Sequence, residues 1–426
     1  MDASMSGVDR PPLGGASGSV RHRAVWVPAA THPRTPPVLP VEQMLLVVDG
    51  RDNGRAWVPG SVRTVRVGRD VTGSALSWST CLGELREAGR FPRGIVVDLP
   101  ASTTSAEHAA DLVLPLLRAL SCSTGPHPLR LAFLATGRAR PELSAALGAV
   151  AQVAGVEDGR LSAVSVRVEA LPGWARDPFH VTRAELALPR PGLAEVRYTG
   201  TGREVRVLRA HDGAGPAASA VPRRGGRYLV GAGPDGSGER LAHRLVRELG
   251  ACVVLLGADP DAEPEGPRSV GAGRGVLVRV GGRVSRYPDV RVAVQSALRA
   301  FGGLDGVVHC PGGGERGLLG GQSAQAARET VADAVSGATH LDRATARLPL
   351  EFFVLAVDAD PYQAVAGASV PAAVGRAFGS VAAARSRLAA TGARHGTSLA
   401  VCHPGALADL PHPGRGSRPE AAGRAA

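Results

Sequence analysis

Four glycines, Gly231, Gly233, Gly236 and Gly238, crowd one short stretch of this 426-residue chain. They follow the apolar run Tyr228–Val230. After them, Leu241, Leu245, Val246 and Leu249 recur at helical spacing within Glu239–Leu249. Gly250 is placed to stop that helix, and Cys252–Leu256 is a second apolar run. Strand, glycine-rich turn, helix and strand form one βαβ unit. In such a unit the turn lets a dinucleotide diphosphate rest on the helix N-terminus. Gly231, Gly233, Gly236, Ser237 and Gly238 are therefore the candidate cofactor-binding residues.

Other chemistry is restricted by composition. Every one of the 49 basic residues is arginine, because the sequence contains no lysine. Mechanisms that need a lysine ammonium or Schiff base are excluded, and so is a P-loop lysine. The five cysteines, Cys81, Cys122, Cys252, Cys310 and Cys402, are odd in number and lack metal-ligand spacing. No disulfide framework or metal site is expected, and most of the cysteines read as small core residues. The net charge of +11 comes from scattered arginines with only 4% aromatics, which argues against nucleic acid as a partner. No segment has the length and apolarity of a membrane span or a secretory signal, so the expected location is the cytoplasm, without membrane association.

The elements that must hold the turn can be read along the chain. Residues 1–21 are expected to form a disordered leader. Strand character falls at Ala24–Val27, Gln43–Asp49, Gly94–Asp98, Arg130–Ala135 and Leu161–Val168, and helical character at Ser74–Gly89, Ala106–Leu120 and Glu142–Val156. Pro115 is expected to kink or split its helix. Glu195–Ala210 reads as a hairpin, and residues 211–226 as a linker. The second half adds strands at Val276–Val280, Gly306–Cys310, Glu351–Val357 and Thr397–Cys402. Its helices are expected at Asp289–Phe301, Gln322–Leu348 and Ser369–Thr391, and Asp259–Pro267 as an acidic loop. The expected fold class is α/β, with two Rossmann-like parallel-sheet subdomains. The first is expected to be without a nucleotide site, because no glycine-rich turn follows its first good strand.

Several runs resemble the ketoreductase domain of modular polyketide synthases, a short-chain dehydrogenase/reductase. They are YLVGAGPDGSG and LVRELGACVVLLG within 228–257, FGGLDGVVHCPGG at 301–313, SGATHLDRATARLPLEFFVLAV at 336–357 and TSLAV at 397–401. HRAVWVPA at 22–29, the stretch 143–169 and EVRYTGTGREVRVL at 195–208 resemble the structural subdomain that precedes such reductases. The resemblance implies a structural subdomain over 22–210 that is a truncated Rossmann fold without a cofactor, a ketoreductase-like Rossmann subdomain over 227–405 and a disordered tail over 406–426. It also implies NADPH as cofactor, and polyketide synthase components or acyl-carrier-bound intermediates as partners.

The chain departs from this family at its working positions. The family's turn has the form T-G-x-x-x-G-x-G, and here Ala232 replaces the first glycine while Asp235 adds a negative charge where a diphosphate would sit. Ala258 stands where the family has an arginine for the 2′-phosphate, and Gly281 and Gly282 stand near the family's adenine-side acid. NADPH is thus a possible but weakened ligand, and the turn glycines read as vestigial. The family's catalytic Lys position falls at Ala334, its Ser at Asp358 or the adjoining Val357, and its Tyr at Pro371 or Ala372, so no catalytic residue is assigned. His309, His340 and Cys310 read as structural. The expectation is a ketoreductase-like protein without reductase activity, acting structurally or through a partner in polyketide biosynthesis. The alternative is an active NADPH-dependent β-ketoacyl thioester reductase that uses a non-standard acid.

Overall fold

Continuous apolar runs alternating with amphipathic helices bury their apolar faces as two sheets covered by helices. The computed structural model describes residues 22–402, apart from 31–35, 50–61, 69, 72–73, 100–105, 124, 126, 137–140, 189–194, 211–221, 258–264, 270–274, 315, 319 and 359–364. The expected leader, the expected tail and most of the expected linker lie outside the described residues. The first half runs β1 (His22–Pro28), β2 (Met44–Asp49), β3 (Arg63–Val67), α1 (Ala75–Glu87), β4 (Gly94–Leu99) and α2 (Ala106–Ser121). It continues β5 (Leu129–Thr136), α3 (Pro141–Glu157), β6 (Leu161–Val168), α4 (Pro178–Ala187), β7 (Glu195–Thr199) and β8 (Gly202–Ala210). The second half runs β9 (Arg227–Ala232), α5 (Ser237–Leu249), β10 (Cys252–Leu256), β11 (Glu265–Ser269), β12 (Val276–Val280) and α6 (Tyr287–Phe301). It ends with β13 (Gly306–Cys310), α7 (Ala324–Ala344), β14 (Phe352–Val357), α8 (Ser369–Ala390) and β15 (Thr397–Cys402).

The first sheet has the order β1-β8-β7-β6-β5-β4-β2-β3, and the second β11-β12-β10-β9-β13-β14-β15. Both are mostly parallel. The exceptions are β1 and β7 against β8, and β11 against β12. The second sheet reverses its strand order between β9 and β13, which pair in parallel from Gly306↔Tyr228 to Cys310↔Ala232. In an open α/β sheet, the crevice beyond the carboxyl ends of those two strands is where ligands sit.

Three elements go beyond the sequence reading, and one reading is corrected. β3 and α4 were not expected. α4 nevertheless has a legible start, because the Asp177 carboxylate accepts the His180 N–H at 2.7 Å and Pro178 follows at the first turn. β11 lies partly in the stretch read as an acidic loop and includes Pro267. It is an edge strand whose register shifts between Glu265 and Arg268, which is where a proline is tolerated. Pro115 does not split its helix, and α2 is continuous around it. Leu112, Val113, Leu116, Leu117 and Leu120 are buried along α2, and that packing outweighs the one backbone bond proline removes.

Helices join the sheets. α3 packs on α8 and α2 on α7. Phe133, Leu147, Val150, Val331, Val370 and Ala377 belong to one apolar cluster drawn from both halves. A buried polar group crosses the same boundary. Glu195 on β7 accepts from Arg206 at 2.9 Å and from Arg376 of α8 at 3.3 Å, with side-chain exposures of 7%, 8% and 5% respectively. Arg376 also donates to Gln152 on α3, and Arg206 donates to Ser380 of α8 at 3.1 Å. Two guanidiniums are thus held out of water by one carboxylate.

His309, on β13, is a second internal tie. It is 0% exposed, and its ring nitrogens face the carbonyl oxygens of Gly231 at 3.4 Å, Asp333 at 3.2 Å and Ala334 at 3.3 Å. Burial holds the imidazole well below its ordinary range, down to about 4, although the carbonyls favour the charged form.

Two outcomes follow from these ties. Glu195→Gln leaves Arg376 and Arg206 buried without their counter-charge and should cost about 3–5 kcal/mol, measured by urea unfolding. A change under about 0.5 kcal/mol would show that this carboxylate does not join the halves. His309 is neutral in both folded and unfolded chains above its ordinary value of 6.5, so it contributes no pH dependence there. As pH falls below 6.5, the unfolded chain takes up the proton first, and stability is lost progressively until about pH 4. The full loss is on the order of 3 kcal/mol. His309→Asn should remove this part of the acid sensitivity, and an unchanged stability–pH profile would refute the assignment.

Candidate functional site

The glycine turn lies at the carboxyl end of β9, with α5 rising from it. Gly233 sits where no side chain fits, since a Cβ there would lie 1.8 Å from the Pro311 carbonyl oxygen. Gly233 also donates its N–H to Cys310 O at 2.8 Å, closing the turn onto the end of β13. A Cβ on Gly238 would lie 2.6 Å from the Cβ of Ala232, so the first turn of α5 rests directly on the strand. Gly236 precedes α5 in the left-handed region, with φ of 71°. Packing and backbone conformation thus account for Gly233, Gly236 and Gly238 without a ligand. Gly231 faces His309, and Ala232 is buried under α5.

Asp235 dominates the electrostatics of the turn. Its Oδ1 accepts the backbone N–H of Ser237 at 2.9 Å and the Ser237 hydroxyl at 2.6 Å. A Cβ on Gly312, in the loop after β13, would lie 2.9 Å from Asp235 Oδ2. The carboxylate therefore stands between the ends of β9 and β13, against the first backbone donor of α5. Burial, and after it the Asp235 charge, push the Cys310 thiol up out of its reactive range. A diphosphate needs the same donors and would meet a like charge. As it stands, the turn does not fit the phosphates of NADPH.

On the adenine side, Gly282 has a φ of 114° and lies against Asp289 of α6, whose Oδ2 accepts the Arg283 N–H at 2.9 Å. An acidic side chain is thus present near this end, but it is supplied by the following helix and engaged by backbone. Ala258, the position of the family's 2′-phosphate arginine, lies outside the described residues.

The three positions matching the family's catalytic set border one another's elements. Ala334 is 0% exposed in α7, on the segment that carries Thr330. Pro371 is buried in the first turn of α8, beside Val370. The Gly314 backbone joins the two helices, since a Cβ there would lie 2.8 Å from Thr330 Cγ2 and 3.1 Å from Val370 Cγ1. Asp358 follows β14 with its side chain exposed, and its backbone oxygen accepts from Arg316 at 3.1 Å. Gly314 thus brings α7 and α8 together at Thr330 and Val370, and the side chains at 334, 358 and 371 are a methyl, a carboxylate and a proline ring.

No described tyrosine serves as a substitute acid. Tyr228 reaches the opposite end of β9, where its hydroxyl accepts the Arg223 N–H at 2.7 Å. Tyr198 binds Glu185 within the first half, and Tyr287 stacks near His340 at the start of α6. Tyr362 lies outside the described residues. His340 faces the Val284 carbonyl oxygen at 3.3 Å, in keeping with a structural role. Among the cysteines only Cys310 is buried. Cys122 is exposed and the other three are intermediate, with Cys81 and Cys402 packed against core clusters. Among the described residues no cluster could hold a metal ion, and no helix is long and apolar enough to cross a membrane.

Comparisons agree with this geometry. Residues 226–401 match the family model described as the KR domain. The chain is similar to polyketide synthase ThaG of Burkholderia thailandensis, 35% identical over 178 residues, which is 38% of this chain and 3% of that protein. It is also similar to polyketide synthase PksN of Bacillus subtilis, 27% identical over 212 residues, covering 49% of this chain and 4% of the relative. The chain therefore spans only a small part of these relatives. Among solved structures, an A1-type ketoreductase superposes with a TM-score of 0.67 at 17% identity, covering 90% of this chain and 82% of that one. An N-terminal ketoreductase from the macrolactin assembly line superposes with a TM-score of 0.66 at 16% identity, covering 89% and 82%. At these identities the likeness is one of fold, and it extends through both sheets. The match to the KR domain model thus spans residues 226–401, and the likeness of fold to solved ketoreductases extends over about nine-tenths of the chain.

Proposed function

We propose that this chain serves polyketide biosynthesis as a ketoreductase-like component that does not reduce a carbonyl. The observation that carries the proposal is the content of the cleft, with Ala334, Asp358 and Pro371 at the three working positions. Reducing a ketone to an alcohol requires a proton at the oxygen as that oxygen becomes negative. Alanine and proline side chains have no proton to give. Asp358 is an exposed carboxylate where the family has a serine hydroxyl. The absence of lysine from the sequence removes any ammonium that could lower a neighbouring acid's pKa.

What remains is architecture: a 22–210 unit joined to a 227–405 unit through α3 and α8. Those boundaries, and a partner among synthase components or carrier-bound intermediates, are part of the proposal. The relatives that support it are polyketide synthases many times longer than this chain. Intact strands such as Phe352–Val357, buried throughout, argue for a retained role over decay.

Incubating the purified chain with NADPH and a β-ketoacyl thioester should give no NADPH oxidation above the protein-free rate. Steady turnover abolished by substitution at Asp358 would establish the alternative, an active reductase with a non-standard acid. In a producing strain, deleting the chain should lower product yield and leave every carbon at its original oxidation state. A product bearing a ketone where the parent strain makes a hydroxyl would overturn the proposal.

A further inference from the structure

The crevice at the strand switch is preserved in shape and closed by the chain itself. The Gly233–Pro311 approach, the Gly238–Ala232 contact and the left-handed Gly236 all set the turn as a nucleotide-binding turn would be set. Yet Asp235 Oδ1 takes the Ser237 N–H at 2.9 Å and the Ser237 hydroxyl at 2.6 Å, and its other oxygen lies against Gly312 across the crevice. Gly236 supplies no side-chain cap, so this carboxylate is the anion that the start of α5 receives. Arg240 donates to the Asp235 carbonyl oxygen at 3.3 Å, which holds the turn in this conformation.

We propose that Asp235 is a built-in occupant of the phosphate seat, an autoinhibitory carboxylate that excludes a diphosphate-bearing ligand by filling its donors and repelling its charge. The proposal rests on the reading of the cleft as silent, and adds that cofactor exclusion is local to one side chain while the rest of the seat is ready. Loss of the reducing groups and loss of the phosphate seat are then separate changes, 99 or more residues apart in sequence between Asp235 and the nearest working position, Ala334. Removing the carboxylate should open the seat without restoring reduction.

The test is NADPH binding by calorimetric titration of the full chain and two variants, each first checked for folding by circular dichroism and thermal melting. Asp235→Gly removes both the charge and the cap. Asp235→Asn keeps an oxygen for the Ser237 donors and removes only the charge. The wild-type chain should show no binding below millimolar NADPH. Asp235→Gly should bind at least about 100-fold tighter and Asp235→Asn at least about tenfold tighter. Micromolar binding by the wild type overturns the proposal. So does a gain under tenfold in a folded Asp235→Gly or, if that variant does not fold, in Asp235→Asn. The two readings fail separately, because wild-type binding without NADPH oxidation removes the occupied seat and leaves the silent cleft standing. Oxidation of NADPH by a variant that binds it removes the silent cleft and leaves the occupied seat.

Discussion

Along residues 369–382, helix α8 has almost no side of its own to give to water, and that constraint organises the molecule. It packs on α3 of the first half while covering β14 and β15 of the second. Its sequence follows from that position. Ala372, Ala373 and Ala377 let the backbones approach, and Val370, Val374 and Phe378 fill the remaining volume. Where a charge is buried on this helix it is matched. Arg376 meets Glu195 and Gln152, and Arg385 meets Asp342 at 3.0 Å and lies over the Phe353 ring. Because α8 begins at the cleft and ends beside β15, the same packing that joins the halves also fixes where Ser369–Pro371 stand.

Arginine does all of the cationic work in this interior, and its geometry suits the task. A guanidinium can serve two acceptors in one plane, as Arg227 does toward Asp305 with contacts of 3.1 and 2.5 Å. That clamp sits at the opposite end of β9 from the glycine turn, where the Arg227 backbone N–H also meets Asp305 at 2.8 Å. The strand is therefore held at both ends, by Asp305 at its start and by Gly233 bonding Cys310 O at its finish. A cleft with such supports keeps its shape whatever side chains line it.

The glycines show how one residue type can carry two readings. A glycine that lets a phosphate approach and a glycine that lets a helix approach look alike in sequence. Gly238 is decided by the Ala232 methyl and Gly233 by the Pro311 carbonyl, both contacts within the protein. His309 gives a parallel case. An imidazole at a strand end beside a cleft is a common catalytic element, yet here its nitrogens are enclosed by carbonyl oxygens of β9 and α7.

Much of this protein could be read from its sequence. The βαβ unit at Arg227–Leu256, the strand at Leu161–Val168 and the hairpin of β7 and β8 follow from local periodicity, which acts over a few residues. The lack of lysine and the residues at 334, 358 and 371 were likewise legible, since they are matters of identity. Position in space was not. Pro115 stayed inside a helix because a buried apolar face outweighed a local preference, and Pro267 entered a strand because that strand is an edge. The shared core of α3 and α8, and the Glu195 link between Arg206 and Arg376, join residues as far apart as Gln152 and Arg376, 224 positions, and no local pattern announces them. The sequence placed a negative charge in the glycine turn. Only the tertiary structure aimed it at Ser237 and set it against Gly312, because a side chain's partner is decided by where the chain returns.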